Sequence, residues 1–268
     1  MRGLIGVAMV AALSPGLAGA QEPAAERDLC SERPGLGTSA CTVEPGRILV
    51  ETGLADWTHE HGDGERIDTV SFAATELRFG VADATEVQLS WTPYGHQRTR
   101  DGAGTVEKAG RVGDVRLAAK QNLSNPDGRG LSFAVLPFVT LPVGRMPIGM
   151  GDWGAGLLAP LTYDLTDAIQ LEFTPEVDAA VNADGHGRHL AYSGVVGAAV
   201  DVTSRVAVMA EVQALHNHEP YDHATSWVAG LSAAWQPRRR VQFDVGAVAG
   251  LDHDAPALRI YGGFVTQF

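Results

Sequence analysis

The chain has 268 residues, of which 45% are hydrophobic, 32 are glycine and only two are cysteine. Its formal net charge of -12 at pH 7 argues against a nucleic-acid partner, because neutralising phosphates requires an excess of Lys and Arg. After the N-terminus no segment offers the run of about 18 charge-free apolar residues that a transmembrane helix needs, which argues against a helical membrane protein.

The first twenty residues have the pattern of a secretory signal. Arg2 is followed by an apolar run at residues 4–13 and then by the small residues Ala18, Gly19 and Ala20. This apolar run is too short to span a bilayer. Residues 1–20 are therefore predicted to be a signal peptide that is removed on export.

The next segment, residues 21–45, is rich in Glu, Pro, Gly and Ser and has no hydrophobic period. This composition predicts an irregular periplasmic extension, either docked as a plug or free in the periplasm. The segment contains both cysteines, Cys30 and Cys41. Export to an oxidising compartment favours a disulfide between them, and two free thiols in a disordered leader are the alternative.

Residues 46–268 consist of segments of about 10 to 13 residues in which apolar and polar side chains alternate, the length that a tilted transmembrane β-strand needs. A strand that faces a soluble core gives the same period. An even number of strands is typical of closed bacterial barrels. Twelve strands are predicted, at residues 46–58, 68–81, 85–95, 111–122, 131–141, 153–164, 169–181, 189–201, 205–215, 225–235, 241–251 and 257–268.

The predicted connections alternate in length. Short turns, several with Asp, Asn, Gly or Pro, are expected at residues 82–84, 124–130, 165–168, 202–204 and 236–240. Mostly longer loops are expected at residues 59–67, 96–110, 142–152, 182–188, 216–224 and 252–256. Short turns at one end and long loops at the other are typical of an outer-membrane barrel, whereas a soluble β-sandwich does not sort its loops in this way.

Aromatic residues and the C-terminus support the same interpretation. The rings near predicted strand ends suit two girdles at the level of the lipid headgroups, and packing in a sandwich core is the alternative. The chain ends in Phe268, which resembles the C-terminal signal by which the barrel-assembly machinery recognises outer-membrane proteins. We therefore predict an all-β fold, a 12-stranded antiparallel transmembrane up-and-down β-barrel in contact with outer-membrane lipid. The girdle residues are Trp57, Trp91, Tyr94, Trp153, Tyr163, Trp227, Trp235 and Tyr261.

Four fragments carry a family resemblance: GDVRLAAK at residues 113–120, LPFVTLP at 136–142, WGAGL at 153–157 and DGHGRHLAYSG at 184–194. Together and in this order they resemble the transporter-like family labelled "MetA-pathway of phenol degradation", over roughly residues 46–268. The resemblance implies an outer-membrane barrel for small organic, often aromatic, compounds. It implies neither catalytic residues nor a cofactor.

Charged residues at alternate strand positions are predicted to line the lumen, where acidic groups outnumber basic ones. A barrel of this size is largely filled by side chains, so any passage through it is narrow. The acidic excess would favour cations, or the charges only satisfy one another in a narrow barrel. The predicted lumen residues are Glu76, Arg78, Glu86, Asp114, Arg116, Lys120, Glu172, Glu176, Asp178, Glu211, Asp244 and Arg259.

All nine histidines fall in, or next to, the predicted outer loops. Two pairs are spaced two residues apart, which places both imidazoles on the same side of an extended strand. Imidazole suits zinc, copper or nickel, while simple solvation and pH sensing are the alternatives. The candidate metal ligands are His59, His61, His216, His218, His223 and His253.

The sequence predicts a barrel without enzymatic activity or cofactor that lets small solutes, including aromatic or organic ones, pass through a narrow acidic lumen. It contains no GxSxG, HExxH or P-loop motif. An outer-membrane lipase needs a Ser and a His together at its lipid-facing surface, and Ser226 with His223 is the nearest pair. The alternative function is a non-conducting barrel whose His- and Asp-rich outer loops bind a partner or a metal ion.

Overall fold

The computed structural model describes residues 27–62, 64–220 and 223–268, so the predicted signal peptide lies outside the described residues. Within these ranges, no helix has the length and apolar character needed to cross a membrane. The strands are β1 (Ile48–Gly62), β2 (Glu65–Ala82), β3 (Thr85–Trp91), β4 (Tyr94–Arg100), β5 (Val106–Arg111), β6 (Val115–Ser124), β7 (Leu131–Leu141), β8 (Gly154–Leu158), β9 (Leu161–Thr166), β10 (Ile169–Val181), β11 (Arg188–Thr203), β12 (Val206–His218), β13 (His223–Arg238), β14 (Val241–Gly250) and β15 (Leu258–Gln267).

These strands form one closed antiparallel barrel, which confirms the predicted fold class. β1 pairs with β2 on one side and with β15 on the other, and this second pairing closes the cylinder. Three of the twelve barrel strands are interrupted once each, as β3 and β4, β5 and β6, and β8 and β9. β3 and β4 both pair with β2, and β8 and β9 both pair with β10.

The alternation of side chains sorts each strand into an inner and an outer face. In β14, Gln242 and Asp244 are buried inside the barrel, whereas Phe243 and Val245 are exposed on its surface. Exposed Leu, Val and Phe side chains recur around the whole cylinder. So large an apolar surface is unfavourable in water but suits lipid, with a polar interior behind it.

The aromatic side chains largely follow the predicted girdles. Six of the eight are exposed, at Trp91, Tyr94, Trp153, Tyr163, Trp227 and Trp235, and Trp57 is half-buried. Tyr261 is an exception: it is buried, and its hydroxyl donates to the carbonyl of Pro34 inside the barrel. Tyr261 alternates along β15 with the outward-facing residues and points into the barrel, as Arg259 and Val265 do. The prediction that it belongs to a girdle is therefore wrong.

The strands continue further at the long-loop end than the sequence predicts. The predicted loops at residues 59–67, 96–110 and 216–224 are mostly paired: β1 runs to Gly62, β4 pairs with β5, and β12 runs to His218. The reason is that both faces of the strands are polar above the lipid, which removes the apolar period although the backbone ladder continues.

All three strand interruptions fall within segments that the sequence predicts as single strands, and two of them follow from proline. The break between β3 and β4 contains Pro93, and the break between β8 and β9 contains Pro160. Proline cannot donate a backbone hydrogen bond to a neighbouring strand, so pairing stops there. The third interruption, between β5 and β6, covers residues 112–114.

The turns at one end are short, and in outer-membrane barrels that end faces the periplasm. Residues 27–45, which we call the plug, lie inside the barrel at this end and include no strand. The plug backbone crosses β2 at Gly80, where a Cβ would collide with the carbonyl oxygen of Glu44. Val43 of the plug packs with Leu49 and Val265 of the wall in a small apolar cluster.

The C-terminal residue completes the closing pair of strands. The amide of Phe268 donates to the carbonyl of Ile48 at 2.8 Å, while its own side chain is exposed. Its role as an assembly signal stays a prediction.

Candidate functional site

The fully buried guanidinium of Arg78 joins the barrel wall to the plug. Its Nη1 donates to the carbonyl of Cys30 in the plug at 2.6 Å and to Glu51 Oε1 on β1 at 3.0 Å. Its Nε donates to Glu86 Oε1 on β3 at 2.8 Å. Arg78 and Glu86 are both 0% exposed, so each charge depends on its partners for the stabilisation that water would otherwise give.

Lys120 on β6 is a second fully buried cation that holds the plug. Its Nζ donates to Glu32 Oε1 and to the carbonyls of Ser39 at 2.8 Å and Cys41 at 3.3 Å. Burial by itself would raise the pKa of Glu32, but the neighbouring Lys120 ammonium and Arg78 guanidinium outweigh burial and lower it. Glu32 is therefore an ionised partner of both wall cations.

Carboxylates of the wall accept hydrogen bonds from backbone amides of the plug. Such charge-assisted bonds are stronger than bonds between neutral groups. They fix both the direction and the depth of the plug in the lumen. The amides of Glu32 and Arg33 donate to Glu51, those of Leu36 and Gly37 to Glu211, and that of Val43 to Glu86, at 2.6 to 3.0 Å.

A disulfide between Cys30 and Cys41, with an S–S distance of 2.04 Å, closes a loop within the plug. The tip of this loop packs closely on the wall at Gly37, where a Cβ would lie 2.8 Å from Glu172 Oε1. Near its tip the loop presents the backbone amides of Leu36 and Gly37 to Glu211, and the side chain of Arg33 to Asp244.

Open clefts lie on both sides of the plug. The cleft at the periplasmic end has a volume of about 500 Å³ and is bounded by Asp28, Ser39 and Cys41 of the plug and by the short turns. The cleft on the outer side has a volume of about 450 Å³ and ends on Arg33 and Leu36 of the plug. The plug therefore separates two water-accessible spaces within one barrel.

The outer half of the lumen is lined by charged groups that keep access to solvent. Arg259 Nη2 lies 2.6 Å from Asp56 Oδ2, with side chains 39% and 22% exposed. The guanidinium of Arg116 lies 3.8 Å from the centroid of the Phe138 ring, a cation–π arrangement. Phe138 and Asp178 also line a further cleft of about 400 Å³ near the outer mouth.

The predicted lumen residues divide into groups. Those that contact the plug are Arg78, Glu86, Lys120 and Glu211, together with Asp244, whose Oδ1 accepts from Arg33 Nη2 at 2.6 Å. Those that line the outer clefts are Glu76, Arg116, Asp178 and Arg259. Glu172 lies against the tip of the plug, and Glu176 accepts from Ser193 Oγ at 3.4 Å.

Asp114 differs from the prediction. It lies at the break between β5 and β6, and it accepts from the amides of Gly144 at 2.9 Å and Met150 at 2.6 Å. It thereby fixes the loop between β7 and β8 and does not occupy a regular inward strand position. Three further residues of the site were not predicted: Glu32 and Arg33, which lie in a segment without periodicity, and Glu51, which the period of β1 would have indicated.

The histidines lie at the outer end of the barrel in separate places. His216, His218 and His223 form one group. His61 Nδ1 lies within hydrogen-bond distance of His59 Nε2, at 3.0 Å, and His59 Nδ1 is hydrogen-bonded to Asp68 Oδ1. His253 is paired with Asp254, so the structure does not unite the six candidate metal ligands in one site.

The fold and the lumen define a class: the chain is a channel-like outer-membrane β-barrel with an internal plug. It belongs to the family described as "Putative MetA-pathway of phenol degradation", whose model matches residues 31–268, and this confirms the resemblance found in the sequence. No curated protein matches the chain.

Several solved structures share the fold at low identity. The transport unit of the autotransporter AIDA-I from Escherichia coli has a TM-score of 0.54 and 9% identity, over 82% of this chain and 89% of that one. The β domain of the Bordetella autotransporter BrkA has a TM-score of 0.51 and 10% identity, over 84% and 100%. The NanC porin has a TM-score of 0.50 and 8% identity, over 82% and 98%. These similarities concern the fold alone.

Proposed function

We propose that this protein lets small solutes cross the outer membrane through a narrow, acidic lumen that the plug closes at its periplasmic half. The observation that carries the proposal is the pair of clefts, of about 450 and 500 Å³, on opposite sides of the plug. A route between the two clefts requires the plug to move. The proposed partners are outer-membrane lipid, the solute and, during assembly, the barrel-assembly machinery.

The outer cleft has the size of a site for a small organic solute. Its volume lies within the range of about 300 to 1,000 Å³ that is usual for ligand sites. The ring of Phe138, with the Arg116 guanidinium over one face, adds an aromatic surface in the neighbouring cleft of about 400 Å³ near the mouth. The family description, which refers to phenol degradation, supports an aromatic solute.

The charge of the lumen favours cationic solutes. The cations Arg33, Arg78, Lys120 and Arg259 are each paired with a carboxylate. Further carboxylates contact neutral groups instead: Glu76 accepts from Ser90 at 2.8 Å, and Glu211 accepts from plug amides. This leaves an acidic excess, which lowers the electrostatic barrier for cations.

The bonds that hold the plug suit a gate. They are mainly hydrogen bonds and ion pairs, each with a modest net contribution of about 1 to 3 kcal/mol, and the buried apolar cluster that joins the plug to the wall, around Val43, is small. Because water or a polar solute can replace such bonds one at a time, displacing the plug does not require exposing a large apolar core.

Single-channel conductance in planar bilayers tests the proposal. The natural protein should conduct weakly and prefer cations. A variant that combines Glu211→Ala with Cys30→Ser and Cys41→Ser loosens the plug and should conduct more. Glu60→Ala, which removes a carboxylate near the outer rim, is the matched control and should behave like the natural protein. Folded barrels that are silent in all three forms would contradict the proposal.

The second candidate is a sealed barrel that binds a partner or metal ion at its surface. The complete burial of Arg78, Lys120 and Glu86 favours it, because a plug held by fully desolvated charges resists displacement. The same conductance measurement separates the two candidates, since a sealed barrel is silent. Both candidates are non-enzymatic and need no cofactor.

A further inference from the structure

We propose that His216, His218 and His223 form a binding site for a divalent transition-metal cation, such as Zn²⁺, Ni²⁺, Cu²⁺ or Co²⁺, on the outside of the barrel just above the outer aromatic girdle. One ring nitrogen from each of these imidazoles lies within 4.8 Å of the others. This site is independent of the lumen and of the function proposed for it.

Strand pairing builds the group. His216 and His218 are two residues apart on β12, so their side chains share one face of the strand. That face is opposite to Gln213 and Leu215, which line clefts inside the barrel. His223 begins β13 directly across from His218, and their ring centroids are 3.9 Å apart. Two ligands from one strand and one from its neighbour therefore converge on a single outer surface.

The spacing is close to that of a coordinated metal. A cation at the centre of a triangle with sides of 4.8 Å lies about 2.8 Å from each corner. Side-chain movements of under about 1 Å would give the zinc–nitrogen distance of roughly 2.0 to 2.1 Å. Three imidazoles leave the fourth tetrahedral position to water, and imidazole nitrogen selects transition metals over Mg²⁺ and Ca²⁺.

Thr225 gives the site a supporting contact. Its Oγ1 lies 2.7 Å from His216 Nδ1, so Nε2 of this ring is the nitrogen available to a metal. A metal-bound imidazole commonly donates its other N–H to an oxygen, which fixes the orientation of the ring. Thr225 is thus a positioning residue for His216. Thr225 on β13 is paired directly with His216 on β12, and this strand pairing keeps the two side chains in contact.

The location allows aqueous cations to reach the site. His218 and His223 are exposed, and His216 is half-buried beside the ring of Tyr192, with centroids 5.0 Å apart. Trp227, on the same outward face of β13, is exposed two residues nearer the membrane than Thr225. The three imidazoles therefore lie at the polar side of the girdle, above the hydrocarbon core.

Cobalt binding to the whole folded barrel, purified in detergent without a polyhistidine tag, tests the proposal. Co²⁺ added to the natural protein should give tetrahedral ligand-field absorption with one ion per barrel, and Zn²⁺ should abolish it by competition. His218→Gln should weaken binding by more than about tenfold, the lower limit usual when even an outer-shell partner is lost. Thr225→Val should weaken binding less and keep the stoichiometry.

Other histidine variants are the matched controls. His186→Gln, His253→Gln and the double variant His59→Gln, His61→Gln should bind Co²⁺ as the natural protein does, and heat-modifiable migration on gels verifies that every variant is folded. The proposal is overturned if the natural barrel gives no tetrahedral signal, if His218→Gln binds equally well, or if the signal is lost with His59 and His61.

Discussion

The two halves of the lumen use similar residues for different purposes. In the periplasmic half, Arg78 and Lys120 are completely buried and bind backbone groups of the plug. In the outer half, Arg259 pairs with Asp56 while both side chains remain partly exposed. Inward-facing charges therefore do not by themselves make an aqueous channel. What fills the lumen beside them decides whether they form a polar core or line a vestibule.

The difference has an energetic consequence. A charge that is fully buried costs several kcal/mol in desolvation and needs complete partners, whereas a partly exposed ion pair contributes about 0 to 1 kcal/mol. The inner network therefore depends on the plug, since plug carbonyls and amides complete the bonding of Arg78, Glu51 and Glu86. The outer pairs do not depend on it.

The largest expected effect comes from removing the inner cation. Arg78→Met leaves the buried carboxylates of Glu51 and Glu86 without their main partner, and we expect a loss of about 3 to 5 kcal/mol in the free energy of unfolding. Arg259→Met, in the outer half, should cost no more than about 1 kcal/mol. Urea unfolding of both variants in the same detergent measures the difference, and equal losses would remove the distinction between the two halves.

A smaller effect is expected where the plug backbone crosses the wall. Gly80→Ala places a Cβ against the carbonyl oxygens of Val43 and Glu44, so the plug must move or the barrel must distort. We expect a loss of about 1 to 3 kcal/mol, as for other overpacked sites. Gly62→Ala is the control, because its Cβ would meet nothing within 4 Å. If Gly80→Ala leaves thermal unfolding unchanged, the plug backbone does not pack closely against β2 at this position.

The smallest structural effect is expected from neutralising acidic groups along β10. The triple variant Glu172→Gln, Glu176→Gln and Asp178→Asn should fold normally and shift the reversal potential in a salt gradient towards zero, because cation preference falls with the lumen charge. Asp184→Asn, in the exposed loop between β10 and β11, is the control and should leave it unchanged. An unaltered reversal potential in the triple variant would show that these carboxylates do not determine the cation preference.

The barrel could be predicted from the sequence because lipid imposes a local rule. Every transmembrane strand must turn apolar side chains outward. Strands such as β10 and β14 can therefore be recognised because outward apolar residues, such as Phe173 and Phe243, alternate with inward polar ones. The rule ends with the lipid. At the rim both strand faces are polar, and the continuation of β1 past Thr58 depends on backbone pairing that leaves no periodic mark.

The plug could not be placed from the sequence for a different reason. Its contacts pair an irregular segment with residues far away in the chain, such as Glu32 with Lys120 and Arg33 with Asp244. The alternation in β2 and β6 predicts that Arg78 and Lys120 point inward, but nothing local identifies their partners. The histidine group shows the same limit: the spacing of His216 and His218 is visible in the sequence, while the contribution of His223 requires the register of β12 and β13.

Hydrogen–deuterium exchange of the folded barrel, read by mass spectrometry over residues 27–45, tests the docked plug most directly. If the plug occupies the lumen as described, the amides of Glu32, Arg33, Leu36, Gly37 and Val43 should be protected to a degree comparable with the barrel strands, because each donates to a wall carboxylate. Exchange at the rate of an unstructured peptide over this segment would contradict the account.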